Sequence, residues 1–290
     1  MRLVKGRKSL ITIAAVLIGF LMLTGCTGIE DRRDVAQQLA HHAGMNSQIL
    51  QGGTFRLQNF YRFDSSPESA ASTPLRVYIE GDGFAWINRY RVSSDPTPRN
   101  PVALKLAAAD RSAAVLYVAR PCQYTDPGRN PNCAQKYWTS HRFAPEVIAS
   151  TSAVIDQAKK AAGATAIELI GFSGGGAVAV LVAARRSDVV GIRTVGGNLD
   201  HVTLNRRKKV SPLTGSLNAA DVAVRVSTIP QIHFIGSDDD VIGAYVVESY
   251  RRRAVASTCI KVQKIIGASH TDGWADMWPN LLTSPLPSCQ

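Results

Sequence analysis

The chain contains no Cys-x-x-Cys pair and no His-Glu-x-x-His run. The usual signatures of structural and hydrolytic zinc sites are therefore missing, and no metal is expected. Three consecutive glycines occur at 174–176, but no Lys-Ser/Thr follows them and they lack G-x-G-x-x-G spacing. A P-loop and a dinucleotide fingerprint are thereby set aside. The chain carries 33 Lys and Arg against 22 Asp and Glu, yet no zinc finger or aromatic RNA-binding signature accompanies that excess. No nucleic-acid partner is expected. There is no obvious internal repeat. The longest apolar run, residues 10–23, falls short of the roughly 20 residues that a membrane-spanning helix needs. No acid occurs in residues 1–8, which hold Arg2, Lys5, Arg7 and Lys8.

What is present at the N-terminus is the layout of an export signal: a basic start followed by a short apolar core. It ends in Leu23-Thr24-Gly25-Cys26, which resembles the bacterial lipobox. That resemblance implies cleavage before Cys26 and a lipid on its sulfur. Thr27 rather than aspartate follows, which in such signals favours the outer membrane of a Gram-negative cell. The expected organisation is a signal peptide at 1–25, a tether at 26–50 and one domain at 51–290, held to the membrane only by its lipid. Removing 1–25 takes away four basic residues and lowers the net charge from +11 to +7.

Four further cysteines, Cys122, Cys133, Cys259 and Cys289, suit an oxidising compartment. Three pairings are open, and four free thiols remain an alternative. Cys122 with Cys133 would close a turn-rich loop. Cys259 with Cys289 would pin the chain end.

About 265 mature residues are enough for one large core. Short apolar runs at 75–80, 113–119, 167–170, 189–195, 231–235 and 260–266 read as strands, and 54–63 as a strand or hairpin edge. Helical stretches at 100–110, 145–162, 177–184, 241–253 and 274–282 alternate with them. The segment 200–228 is an excursion with one helix starting at Asn218. Such alternation predicts an α/β fold, a mostly parallel sheet with helices on both faces.

Within this pattern stands Gly171-Phe172-Ser173-Gly174-Gly175. It follows an apolar strand and precedes an alanine-rich helix. This is the context of the G-x-S-x-G turn, in which small flanking residues let a serine project from a tight strand-to-helix bend. Downstream lie Gly236-Ser237-Asp238-Asp239-Asp240-Val241-Ile242 and, after the last strand, His270. His233 falls inside a strand and reads as structural, while His201 comes too early. Upstream, Glu80-Gly81-Asp82-Gly83-Phe84 runs from a strand into a glycine-rich turn.

Taken together, residues from about 54 to 283 resemble the α/β-hydrolase superfamily, whose nucleophile, acid and histidine follow in that order. The resemblance implies Ser173 as nucleophile, His270 as base and Asp239 as acid, with Asp240 the alternative acid. It also implies an oxyanion hole made by the Gly174 N–H and by Asp82, Gly83 or Phe84, with Gly83 and Phe84 preferred. Glu80 stands where many esterases carry histidine. No cofactor is implied. A serine hydrolase acting on a small-molecule or lipid ester through an acyl-enzyme is expected. A non-catalytic envelope lipoprotein with the same fold is the alternative. Trp86, Trp138, His141 and Trp274 are candidate pocket residues.

Overall fold

A computed structural model describes residues 29–64, 73–255 and 258–289. Cys26, the apolar run 10–23 and most of the connector 65–74 lie outside the described residues. The chain opens with helix α1 (Ile29–His42) and the hairpin β1 (Asn46–Gly52) and β2 (Phe55–Phe63). It continues through β3 (Leu75–Ile79), the short strands β4 (Trp86–Asn88) and β5 (Arg91–Val92), α2 (Val102–Ala109) and β6 (Ala114–Val118). Next come α3 (Pro145–Ala161), β7 (Ile167–Phe172), α4 (Gly174–Ala183), β8 (Val189–Val195) and α5 (His201–Lys208). The last elements are β9 (Gln231–Gly236), α6 (Tyr245–Arg253), β10 (Ile260–Ile265) and α7 (Trp274–Leu282).

Eight strands form one sheet in the order β1-β2-β6-β3-β7-β8-β9-β10. From β6 to β10 every neighbouring pair is parallel, while β1 and β2 add an antiparallel edge. The inner parallel strands β6, β3, β7, β8 and β9 are mostly apolar because both faces are covered, while the edge strand β10 carries Lys261, Gln263 and Lys264. Alternation still sorts the side chains. On β6, Ala114, Leu116 and Val118 enter one core layer with α3, α4 and α6. Val115 and Tyr117 enter the other, with α1, α2 and α7. This is the expected α/β architecture.

Two local expectations are corrected. Residues 29–50, expected as a tether with a short helix, are folded onto the domain. Ala36 and Ala40 bury one stripe of α1, and β1 pairs with β2 along seven residues. Within 200–228 the α-helix is α5, capped by the Asp200 side chain, whereas the segment after Asn218 makes only a 3₁₀ turn, Ala219–Val222. The β4–β5 hairpin was not anticipated. The cysteines pair as Cys122–Cys133 and Cys259–Cys289, with Cα separations of 5.5 and 4.7 Å.

A buried polar ladder ties the second layer to the sheet. Trp278 Nε1 donates to Tyr78 Oη at 2.9 Å, and Tyr78 Oη donates to Asp110 at 2.7 Å. The Trp278 ring also meets Tyr78 and Phe234 edge-on, at 6.0 and 5.9 Å between centroids. Trp278 is fully buried. Trp278→Ala should therefore cost about 3–5 kcal/mol through the cavity it leaves. Trp278→Phe should cost visibly less, because it keeps most of the ring packing. Urea denaturation followed by far-UV circular dichroism will rank the two.

Candidate active site

Strand β7 is central in the sheet and ends at Phe172. Ser173 follows with φ 51° and ψ −119°, a strained conformation for a residue with a side chain. The strain persists because the surroundings fix the turn. Ser173 N–H donates to Val195 O at 2.9 Å, and Gly176 and Asn198 N–H donate to Ser173 O at 3.0 and 2.9 Å. The turn leaves no room for side chains at its glycines. A Cβ on Gly171 would fall against the Gly175 carbonyl, and one on Gly175 against the carbonyls of Ile79 and Glu80. That contact seats the start of α4 directly on the end of β3.

His270 stands on the loop after β10. Its Nε2 lies 3.0 Å from Ser173 Oγ and its Nδ1 2.9 Å from Asp239 Oδ2. The carboxylate can only accept, so the imidazole proton sits on Nδ1 and Nε2 is free to accept from the serine hydroxyl. Asp239 is held in turn by the N–H groups of Val241 and Ile242, which donate to Oδ1 at 2.9 and 2.8 Å. Its side chain is buried. Asp238 and Asp240 point to solvent, and Asp240 makes no contact with the imidazole. His233 is buried within β9 between Thr194 and Gln231, and burial pushes its pKa down to about 3.

The candidate pocket residues have other positions. Trp274 is fully buried, and its Nε1 donates to the carbonyls of Ser269 and His270, bracing the histidine loop. Trp138 is buried with its Nε1 donating to Ser93 O. His141 contacts Ser140 and the edge of Tyr137. Trp86 is exposed on β4. None of the four faces Ser173 through a described contact. Trp138 and Trp274 serve the core, where large rings are also needed.

The loop after β3 approaches the serine closely. A Cβ placed on Gly81 would lie 3.3 Å from Ser173 Cβ. Phe84 cannot serve as an oxyanion donor, because its N–H is spent on Pro96 O at 2.9 Å. Gly81 N–H is spent on Glu80 Oε1. Among the described residues, the N–H groups of Gly174, Asp82 and Gly83 take no acceptor. Gly174 opens α4, where the helix dipole adds positive potential.

Sequence reasoning missed the charge cluster beside these donors. The Asp82 carboxylate lies over Gly174, so close that a Cβ there would collide with it. Arg120 donates to Asp82 Oδ1 at 3.2 Å and Arg142 to Oδ2 at 2.6 Å. Burial alone would raise the Asp82 pKa, but Arg142 and Arg120 outweigh it and hold the group below the usual carboxylate range. Two cations meet one anion, leaving one net positive charge. The two arginines are 22 positions apart in the chain, so no local pattern announces them.

The sequence matches no family model and no curated protein. The structure, however, superposes on many solved ones. Est1E from Butyrivibrio proteoclasticus matches with a TM-score of 0.55 at 14% identity, over 81% of this chain and 95% of that one. The esterase PF2001 from Pyrococcus furiosus matches with a TM-score of 0.54 at 12% identity, over 84% and 90%. An alpha-beta serine hydrolase homologue from Coxiella burnetii matches with a TM-score of 0.50 at 14% identity, over 81% and 93%.

The chain has the α/β-hydrolase fold. Its α/β-hydrolase sheet explains why the three motif segments meet: each follows the C-terminal end of a parallel strand, where such sheets place their sites.

Glu80 gives the site a pH signature. It is buried at the end of β3 and accepts from Gly81 N–H, Ala103 N–H and Tyr117 Oη. Burial raises its pKa to about 7 against those hydrogen bonds. The folded state thus holds this proton more tightly than the unfolded chain. Stability must fall as pH rises from the ordinary glutamate value near 4.3 through about 7. Glu80→Gln mimics the protonated form and removes that dependence. Thermal denaturation from pH 5 to pH 9 should show the smallest gap between wild type and variant at the acid end. The variant should melt higher at the alkaline end. Parallel profiles would refute the assignment.

Proposed function

We propose that this protein is a serine hydrolase that cleaves carboxylic esters through an acyl-enzyme. The observation that carries the reading is the unbroken relay from Ser173 Oγ through His270 to Asp239, with spacings of 3.0 and 2.9 Å. Ser173 Oγ attacks the ester carbonyl while His270 Nε2 takes its proton. Asp239 keeps the imidazole in the right tautomer and stabilises the imidazolium without taking the proton. The tetrahedral oxyanion is met by the Gly174 N–H and by the N–H of Asp82 or Gly83. Collapse expels the alcohol, which receives the proton from His270. Water then repeats the attack on the acyl-serine and releases the acid. No cofactor enters either half-reaction.

The substrate class is a small-molecule or lipid ester. Asp82 does not oppose the developing negative charge, because Arg120 and Arg142 together outweigh it. The export signal and lipobox at Cys26 support a lipid-anchored enzyme of the cell envelope, at the outer membrane.

A fluorophosphonate probe tests the mechanism. Wild type should be labelled stoichiometrically, and Ser173→Ala not at all. On p-nitrophenyl esters of graded acyl length, Ser173→Ala and His270→Ala should lower kcat on the order of 10⁶-fold, and Asp239→Asn on the order of 10⁴-fold. Folded wild type that resists the probe would support the non-catalytic alternative instead.

A further inference from the structure

The β4–β5 hairpin presents an apolar tip that the active site does not use. Trp86, Ile87 and Tyr90 are 42%, 40% and 86% exposed. Among the described residues, the other exposed large hydrophobics are all aliphatic, such as Val35, Val190 and Ile266. Only this hairpin gathers three within five positions and exposes large aromatic rings. A cluster of this kind is costly in water unless something covers it.

The tip is also rigid. The Asn88 side chain accepts from the N–H groups of Tyr90 and Arg91 at 2.9 and 3.0 Å, closing the turn. The base is anchored: Ser93 N–H donates to Ala85 O at 3.0 Å, and the buried Trp138 holds Ser93 O. The cluster is therefore displayed by a fixed scaffold and is not a frayed loop.

Its charge is of one sign. Residues 83–94 contain Arg89 and Arg91 and no acid. Arg99 and Arg32 lie over the Phe84 ring at the hairpin's foot, 3.8 and 5.7 Å from its centroid. Arg32 belongs to α1, at the start of the described chain. It lies six positions after Cys26, within about 20 Å of it even for a fully extended chain. The α1 turn that follows the residue expected to bear lipid thus packs against the foot of the hairpin.

We propose that the β4–β5 hairpin is a membrane-docking element that seats Trp86, Ile87 and Tyr90 in the interface of an anionic bilayer. Indole and phenol rings favour the headgroup boundary, where an apolar body and a polar edge are both satisfied. Arg89 and Arg91 meet the anionic headgroups. The foot of the hairpin is the loop whose Gly81 abuts Ser173, so docking brings the serine turn to the lipid surface. Binding itself does not depend on the hydrolase reading.

The tryptophans make the test direct. Trp138, Trp274 and Trp278 are buried, and Trp86 alone of the four is exposed. A chain beginning at Thr27 lacks the apolar run and the lipid but keeps every strand and helix of the described fold. Mixed with vesicles of phosphatidylcholine and phosphatidylglycerol, it should co-sediment and shift its tryptophan emission to the blue. Trp86→Phe should abolish the shift and retain sedimentation. Ile87→Ser with Tyr90→Ser should weaken sedimentation at least tenfold. Each of Arg89→Gln and Arg91→Gln should weaken it about fivefold on anionic vesicles. Vesicles of phosphatidylcholine alone should bind the wild type far less. Ser173→Ala should bind like wild type, which separates this result from any failure of the esterase assay. The exposed positions of these residues make misfolding an unneeded explanation, and circular dichroism will check it. No sedimentation on anionic vesicles would overturn the proposal. So would equal binding by the Ile87→Ser, Tyr90→Ser protein, which would leave the tip to a protein partner.

Discussion

The architecture of the site depends on how closely the start of α4 can approach the end of β3. Backbone meets backbone there: the carbonyls of Ile79 and Glu80 occupy the space that a Gly175 side chain would need. That approach bends the chain hard enough to hold Ser173 at φ 51°. It also brings the Gly174 N–H to the loop at Asp82 and Gly83. Ser173 and the candidate oxyanion donors are thus set by one contact between two central elements. The strain at Ser173 is stored because β8 and the segment after it hold the residue on both sides, Val195 through its carbonyl and Asn198 through its N–H.

The loop on the other side of that contact is braced from a distance. Gln123 Nε2 donates to Gly81 O at 3.0 Å, and Gln123 Oε1 accepts from Arg120 N–H. Arg120 then reaches Asp82. The turn carrying Arg120 and Gln123 begins the loop that the Cys122–Cys133 disulfide closes. A cross-link that was one of three open pairings in the sequence therefore sits one step from the loop after β3. It narrows the conformations of the segment that holds Gly81 and Asp82 in place.

Much of this was legible in the sequence, for identifiable reasons. Strands β3, β6 and β7 are covered on both faces, so they read as apolar runs. Ser173, Asp239 and His270 stand beside glycines or turns that break those runs. Strand β1 was missed because it is an edge strand. Asn46-Ser47-Gln48 is polar and exposed, and only Gly52-Gly53 at its end signalled a hairpin. Helix α5 was missed because it buries little beyond His201 and Leu204, too narrow a stripe to show periodicity. Phe84 was preferred as a donor by position in the motif, and a hydrogen bond to Pro96, 12 residues away, removed it. Side-chain partners so far apart leave no mark on a local pattern.

The same distant contacts resolve an oddity of the motif. Two carboxylates, Glu80 and Asp82, occupy a loop that faces a developing negative charge if the esterase reading holds, and bare carboxylates there would oppose the reaction. The fold answers each differently. Glu80 is turned into the interior, where burial lifts its pKa to about 7 and the N–H groups of Gly81 and Ala103 and the Tyr117 hydroxyl meet its carboxylate. Asp82 is kept ionised but is outnumbered by Arg120 and Arg142. In a site of low effective dielectric, a surplus positive charge would act on the oxyanion of the proposed reaction more strongly than it would in water. A loop that looks acidic in the sequence therefore has its Asp82 charge matched by two arginines beside the serine. The tolerance of the position for aspartate comes from arginines that only the folded sheet brings to it.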